Sequence, residues 1–341
     1  MCHHHARLLA FLGALVSFCC VSCGGGGSSP SGPGNLVEGR LILGPVAGAT
    51  IEAFQMEDTG ALTPFSPPRT TTSAADGTYS LDLGGYAGPL VLAATGGSYT
   101  DEATGLVKTI PSATPLYSCG VVPPGTHTLQ INPVMHLATA VAVALARHVE
   151  EGSADAIVNA YKIVEDFFGL QDISAVEPAD LTAGPVAPGN PADYGSVLAG
   201  ISQEASDLGV GGLDPMQFLD GLASDVADGR FDDRSFGDPL TLGTELGGNR
   251  LYDRIQFFLS DNNRNISGLS DTDVGSDDAV FAHIDMTGPS PHPAYLAWPA
   301  RIYAANVTSG PTGGGTLVVL TGDGIDSGSG VDVLFGGSPG R

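Results

Sequence analysis

Residues 44–54 read Gly-Pro-Val-Ala-Gly-Ala-Thr-Ile-Glu-Ala-Phe. From Ala49 to Phe54 the residues alternate with period two, placing Ile51 on one face and Thr50 and Glu52 on the other, as in a strand with one buried face. Upstream, Val37–Leu43 is a short β-like run that ends at Gly44-Pro45. Downstream, Asp76-Gly77 is a turn signal ahead of a second alternating run, Thr78–Leu83. Gly88-Pro89 then opens the apolar run Leu90–Ala94. Several short strands at this spacing, broken by Gly and Pro, predict a β-sandwich.

The segments GPVAGATIEAF (44–54), ADGTYSLDL (75–83) and GPLVLAATGGSYTDEATG (88–105) resemble the prealbumin-like sandwich of carboxypeptidase regulatory and collagen-adhesin B-type repeats. The resemblance covers about residues 36–110 and implies that Tyr79, after the Asp-Gly turn, fills the core. The expected module, with a hairpin extension, spans 36–131. Some adhesins of this type carry a Lys–Asn crosslink. Here the lysines are Lys108 and Lys162 and the first strand offers Arg40, so no crosslink is expected. Asp101-Glu102 could contact a divalent cation or a substrate. The expectation is a solvated hairpin beside Gly105.

From Asn132 the period becomes helical. Asn132 can cap, and Pro133 suits the first helical position because its missing N–H would find no partner there. Val134, Leu137, Val141, Leu145 and Val149 form an apolar stripe, and Gly152 ends it. Ser153 restarts a helix through Ile157, Tyr161, Val164 and Phe168, with Gly169 as its stop. Further helices are predicted over Tyr194–Leu208, from Asp214-Pro215 to Val226, and over Leu246–Asp261. The expected helical bundle, 132–261, shares a core with the sandwich. INPVMHLATAVA (131–142) and the acidic run ending DVADGRFDD (225–233) are similar to segments that follow such sandwiches in bacterial surface proteins, with no activity attached. His136 and His148 lie about 18 Å apart along one helix at 1.5 Å per residue, so they cannot share a metal there. Structural or exposed roles are expected for both.

Residues 8–22, LLAFLGALVSFCCVS, form an apolar run shorter than the roughly 20 residues of a membrane span. It follows Arg7 and reads as a secretory signal, 1–22. Ser22-Cys23 followed by the Gly/Ser/Pro tether 23–35 resembles the cleavage box of bacterial lipoproteins, although Cys20 stands where Leu is usual. The resemblance implies that Cys23 becomes the acylated first residue, carrying palmitate or a similar chain, and ties the protein to the outer membrane or cell surface. A plain signal peptide cut nearby is the alternative. Of five cysteines, Cys119 alone would remain unmodified, so no disulfide is expected within the exported chain. A lone Cys of this kind reads as a small buried apolar residue.

Two acidic stretches, 261–265 and 271–278, place oxygen donors at alternate positions, as calcium sites do. Both fail the EF-hand pattern at loop positions six and twelve. Asp271, Asp273 and Asp277 are the candidate metal ligands, calcium being the one cofactor considered. An acidic, Pro-containing linker is expected over 262–297. VTSGPTGGGTLVVLTGDGID (307–326) with VDVLFGG (331–337) resembles the start of an immunoglobulin-like module of the IPT/TIG type. Such sandwiches need about 80 or more residues, so 298–341 is expected to be a partial module or the end of a truncated chain. Gly336-Gly337-Ser338-Pro339-Gly340 matches the nucleophile-elbow pattern. Pro339 directly after Ser338 opposes the helix an elbow needs, so no catalytic role is expected.

With 13 Lys+Arg against 37 Asp+Glu the net charge is -24, a field that repels nucleic acid. The reading is a multidomain α+β chain: an N-terminal β-sandwich, a central helical bundle and a partial C-terminal immunoglobulin-like sandwich. Its expected role is that of a non-enzymatic, surface-anchored bacterial lipoprotein with a binding or adhesion-like function. Its expected partners are the membrane, through the lipid, and an extracellular or periplasmic protein or carbohydrate. The alternatives are an accessory part of an exported hydrolase and a calcium-dependent carbohydrate- or protein-binding module.

Overall fold

The computed structural model describes residues 34–149, 151–209, 215–229, 234–235, 238–240 and 248–274, with short strands at 301–305, 320–323, 334–335 and 338–339. Cys23, the signal segment, Asp277 and most of 275–341 lie outside the described residues, as does the tether apart from Gly34 and Asn35. The fold is α+β.

Two sheets build the N-terminal part. In the smaller, β1 (Leu36–Arg40) is the centre, antiparallel to β5 (Thr78–Asp82) and parallel to β9 (Thr126–Thr128). In the larger, β2 (Ala47–Met56) pairs along its length with β6 (Gly88–Thr100). β3 (Leu62–Pro64) and β4 (Thr70–Thr72) follow one another along β2. β8 (Leu116–Val122) and β7 (Val107–Ile110) do the same along β6. The alternation read in the sequence is the cause: Ala49, Ile51 and Ala53 are buried on β2, and Tyr79 and Leu81 on β5, while Thr50, Thr78, Ser80 and Asp82 face solvent. The Tyr79 ring fills the core, and its hydroxyl donates to the Leu129 carbonyl.

The helices follow. On α1 (Pro133–Ala144) the Asn132 side chain accepts from the Met135 amide at 3.0 Å, and Pro133 occupies the first turn. The stripe residues Val134, Leu137, Val141 and Leu145 are buried, and burial extends beyond the stripe: every residue of α1 but Ala140 is buried, His136 and Thr139 included, because strand β8 and helices α2 (Ser153–Phe168) and α4 (Pro215–Val226) enclose it. Beyond Ala144 the chain loosens into a π-turn, Leu145–Val149. The Ser153 amide and hydroxyl that open α2 both donate to Asp58 Oδ1, at 2.9 Å each, so a residue of the β2–β3 turn caps this helix. Gly169 ends α2 in the left-handed conformation.

Then come α3 (Asn190–Gly209), α5 (Gly248–Ser260) and the single turn α6 (Asp271–Val274). Arg254 of α5 ties to α3 through Glu204 at 2.6 Å and Asp207 at 3.0 Å. Two-stranded pairs complete the elements: β10 (Arg234–Ser235) with β11 (Asp238–Pro239), β12 (Arg301–Ala305) with β13 (Leu320–Asp323), and β14 (Leu334–Phe335) with β15 (Ser338–Pro339). One apolar cluster runs from Val37 through both sheets and the helices to Val274. Among the described residues no helix is long and apolar enough to cross a membrane.

Candidate ligand cleft

Three connections meet beside the end of β1: the turn 41–46 between β1 and β2, the β6–β7 loop 101–106, and the loop that leaves α2. Between them lies a cleft of about 240 Å³, lined by Arg40 at the end of β1, Ile42, Gly44 and Pro45 from the first connection, Glu102 from the second, and Glu177–Asp180 from the third.

The solvated hairpin expected for Asp101-Glu102 is corrected, since both residues are buried, Asp101 being 3% and Glu102 8% exposed. The cause is long-range packing. Asp101 Oδ1 accepts from the Thr104 amide and hydroxyl at 2.9 and 2.6 Å, which closes the loop on itself. Its Oδ2 accepts from Lys108 Nζ at 2.9 Å and from Ser202 Oγ of α3 at 3.2 Å. Arg264 also donates to the Thr104 carbonyl. Asp101 is therefore a fully engaged anchor that pins the loop to the helices.

Glu102 is carried inward by that anchor. Its carboxyl is pushed up to about 8, first by burial, then by the negative charges of Asp180 and Asp101, with the Gly44 amide pulling weakly the other way. At neutral pH it is chiefly protonated. Gly44 adopts a positive φ of 75°, and a Cβ there would meet the Thr100 carbonyl at 2.5 Å, so glycine lets this amide sit close to the β6–β7 loop.

Arg40 is already committed. Its Nε and Nη2 donate to the Asp76 carbonyl at 3.2 and 2.8 Å, and Nη1 pairs with Glu177. Asp180 Oδ1 accepts from the Thr182 amide and hydroxyl at 2.8 and 2.7 Å. The cleft thus combines the buried Glu102 carboxyl, Asp180, an Arg40–Glu177 pair and apolar Ile42, Pro45 and Pro178, a mixture suited to holding a small polar group. Glu177 and Asp180 were not singled out from the sequence, because nothing local marks two acids in an inter-helix loop as neighbours of residues some 75 positions upstream.

The other residues singled out in the sequence lie elsewhere. His136 is buried; its Nδ1 accepts from the Tyr117 amide at 3.1 Å and its Nε2 lies 3.4 Å from Asp220 Oδ1. A backbone amide thus fills the side where a nucleophile would stand, and the pair ties α1 to β8 and α4. His148 lies in the half-buried π-turn. Cys119 is buried, and its thiol is pushed up to about 12 by burial. Asp271 and Asp273 belong to α6. Asp273 Oδ2 accepts from the Ser270 amide and hydroxyl at 2.8 and 2.7 Å, and Asp271 Oδ1 from the Thr272 amide at 3.0 Å. Among the described residues no three His, Cys, Asp or Glu side chains gather as a metal-binding set. No family model matches the chain, and no curated protein matches it.

Proposed function

We propose that this chain is the ligand-binding body of an exported bacterial lipoprotein, acylated at Cys23 and held off the surface by the tether 23–35. In this reading 36–131 is a prealbumin-like sandwich, 132–261 a helical bundle packed on it, and 298–341 part of an immunoglobulin-like module. The protein binds rather than catalyses. The observation that carries the binding role is the cleft, where a buried Glu102 carboxyl sits beside Asp180 at the meeting of sheet and helix connections. The His–Asp pair closest to a catalytic dyad spends its free nitrogen on a backbone amide, which favours a structural use. The apolar run 8–22 and Ser22-Cys23 support the anchor.

The anchor is tested by expressing the wild type and Cys23→Ser in a bacterial host fed labelled palmitate, then partitioning membranes with detergent. Label and detergent-phase recovery should be lost in the variant. Equal partition of the two proteins, or wild type recovered from the cytosol with Met1 intact, would overturn it.

A further inference from the structure

We infer that the cleft receives a protonated amine or guanidinium group, held between the carboxylates of Glu102 and Asp180. This rests on the binding role proposed for the same cleft. The charge inventory selects the ligand. Among the described residues the one cation lining the cleft, Arg40, is consumed by Glu177 and the Asp76 carbonyl. Among the described residues Asp180 is hydrogen-bonded through Oδ1 alone, by Thr182. Glu102 is more than nine-tenths buried and lines the cleft, yet among the described residues the single donor its carboxyl meets is the Gly44 amide. A buried carboxyl so poorly supplied is stabilised by any donor that enters, and most by a charged one.

Size and geometry narrow the choice further. A water molecule takes about 30 Å³ of liquid volume, so a cleft of about 240 Å³ admits the tip of a basic side chain or a small free amine. Anions are opposed by Asp180, and by Glu102 wherever it is ionised, while the Arg40 guanidinium that would attract them is already paired with Glu177. Among the described residues the carboxylates do not gather as a metal-binding set.

A consequence follows for protons. The groups facing Glu102 are Asp180 and Glu177 from the α2–α3 loop, Arg40 from β1, and Asp101, neutralised by Lys108, from its own loop. An entering cation favours ionised Glu102, so each binding event below pH 8 releases the carboxyl proton to solvent.

The test is calorimetry and amide NMR on the folded protein. One probe is methylguanidinium, whose charge is fixed across the range. A second is an acetylated Gly-Arg-Gly amide, which stands for a protein-borne guanidinium. Affinity should rise about tenfold per pH unit up to about 8 and then level off, with close to one proton released below that point. The tighter of the two probes identifies the source. Glu102→Gln should flatten the profile; it replaces a group that is already neutral at pH 7 and should fold, as circular dichroism would show. Asp180→Asn should weaken binding and move the break to lower pH. Equal affinity at about pH 6 and about pH 9, with no proton release, overturns the inference, since linkage demands both. So does calcium chloride binding more tightly than either cation. If sucrose shifts the Gly44 and Ala179 amides while both cations leave them unmoved, the cationic ligand is wrong and the binding cleft stands. If no probe moves them, both fall.

Discussion

Glu102 shows at the scale of one residue how burial becomes pH dependence. Its ordinary value of 4.5 is raised to about 8 in the fold, so the folded chain keeps a proton that the unfolded chain has released across that window. The native state binds more protons there, and stability falls as pH rises from about 4.5 to about 8, by up to roughly 1.4 kcal/mol per unit. Glu102→Gln removes that slope. Urea melts should find the variant close to wild type at about pH 4 and increasingly more stable toward pH 8, where the difference is largest. Parallel curves for the two proteins would show that the carboxyl ionises freely in the fold. In the sequence Ser-Tyr-Thr-Asp-Glu-Ala-Thr-Gly reads as a polar hairpin, with a cation or substrate contact at Asp101-Glu102 as the alternative, and its burial was not legible because the loop is drawn inward through the neighbours of Glu102: Asp101 by Lys108 and Ser202, and Thr104 by Arg264, about 160 positions away. Tyr79, Asn132, Gly169 and Cys119 were legible because a turn, a cap, a helix stop and a lone apolar-like thiol are decided within a few residues.

At the scale of elements, the central strand of the small sheet depends on a residue with no side chain. Gly39 of β1 stands where a Cβ would fall onto the Leu129 carbonyl, the group that also accepts the Tyr79 hydroxyl, with that hydroxyl itself 3.1 Å from the Cβ position. The Leu129 amide bonds the Glu38 carbonyl at 2.8 Å, so this backbone cannot retreat without breaking the parallel β1–β9 join that leads into α1. Gly39→Ala should therefore cost about 2–3 kcal/mol or more in urea unfolding. Ser80→Ala, on the exposed face of β5, should stay within about 0.5 kcal/mol. Equal stability of the two variants would mean that β9 shifts at no cost. The long alternating strands and the helices were readable because their periods span many residues. β3, β4, β7, β8 and β9 were not: β3, β4 and β9 are three residues each, too short for a period to show, and β8 is buried at six of its seven positions, so it carries no alternation. On α1 the stripe understated the burial, since a helix enclosed by β8, α2 and α4 has no polar face to compare with its apolar one.

Over the whole molecule, 37 acidic residues against 13 Lys and Arg mean that most charge pairs repel. Salt screens these repulsions together with the few attractions, such as Arg40–Glu177 and the Arg254 pairs, but the repulsions outnumber them and act over a Debye length that shrinks from about 30 Å at 0.01 M to about 10 Å at 0.1 M. The compact state should therefore gain stability as sodium chloride is added. The same field draws cations toward the cleft, so salt that steadies the fold should slow cationic ligands in reaching it. Cys119 offers a reporter of opening. Its side chain is wholly buried, and its thiol, pushed up to about 12, reacts with an aromatic disulfide only when the core parts. Labelling of Cys119 at fixed pH should slow severalfold between low and moderate salt, with sucrose at matched osmolality separating screening from general exclusion at the surface. Faster labelling at high salt would mean that the handful of ion pairs at the helix and loop junctions outweighs the repulsion of the whole anionic body.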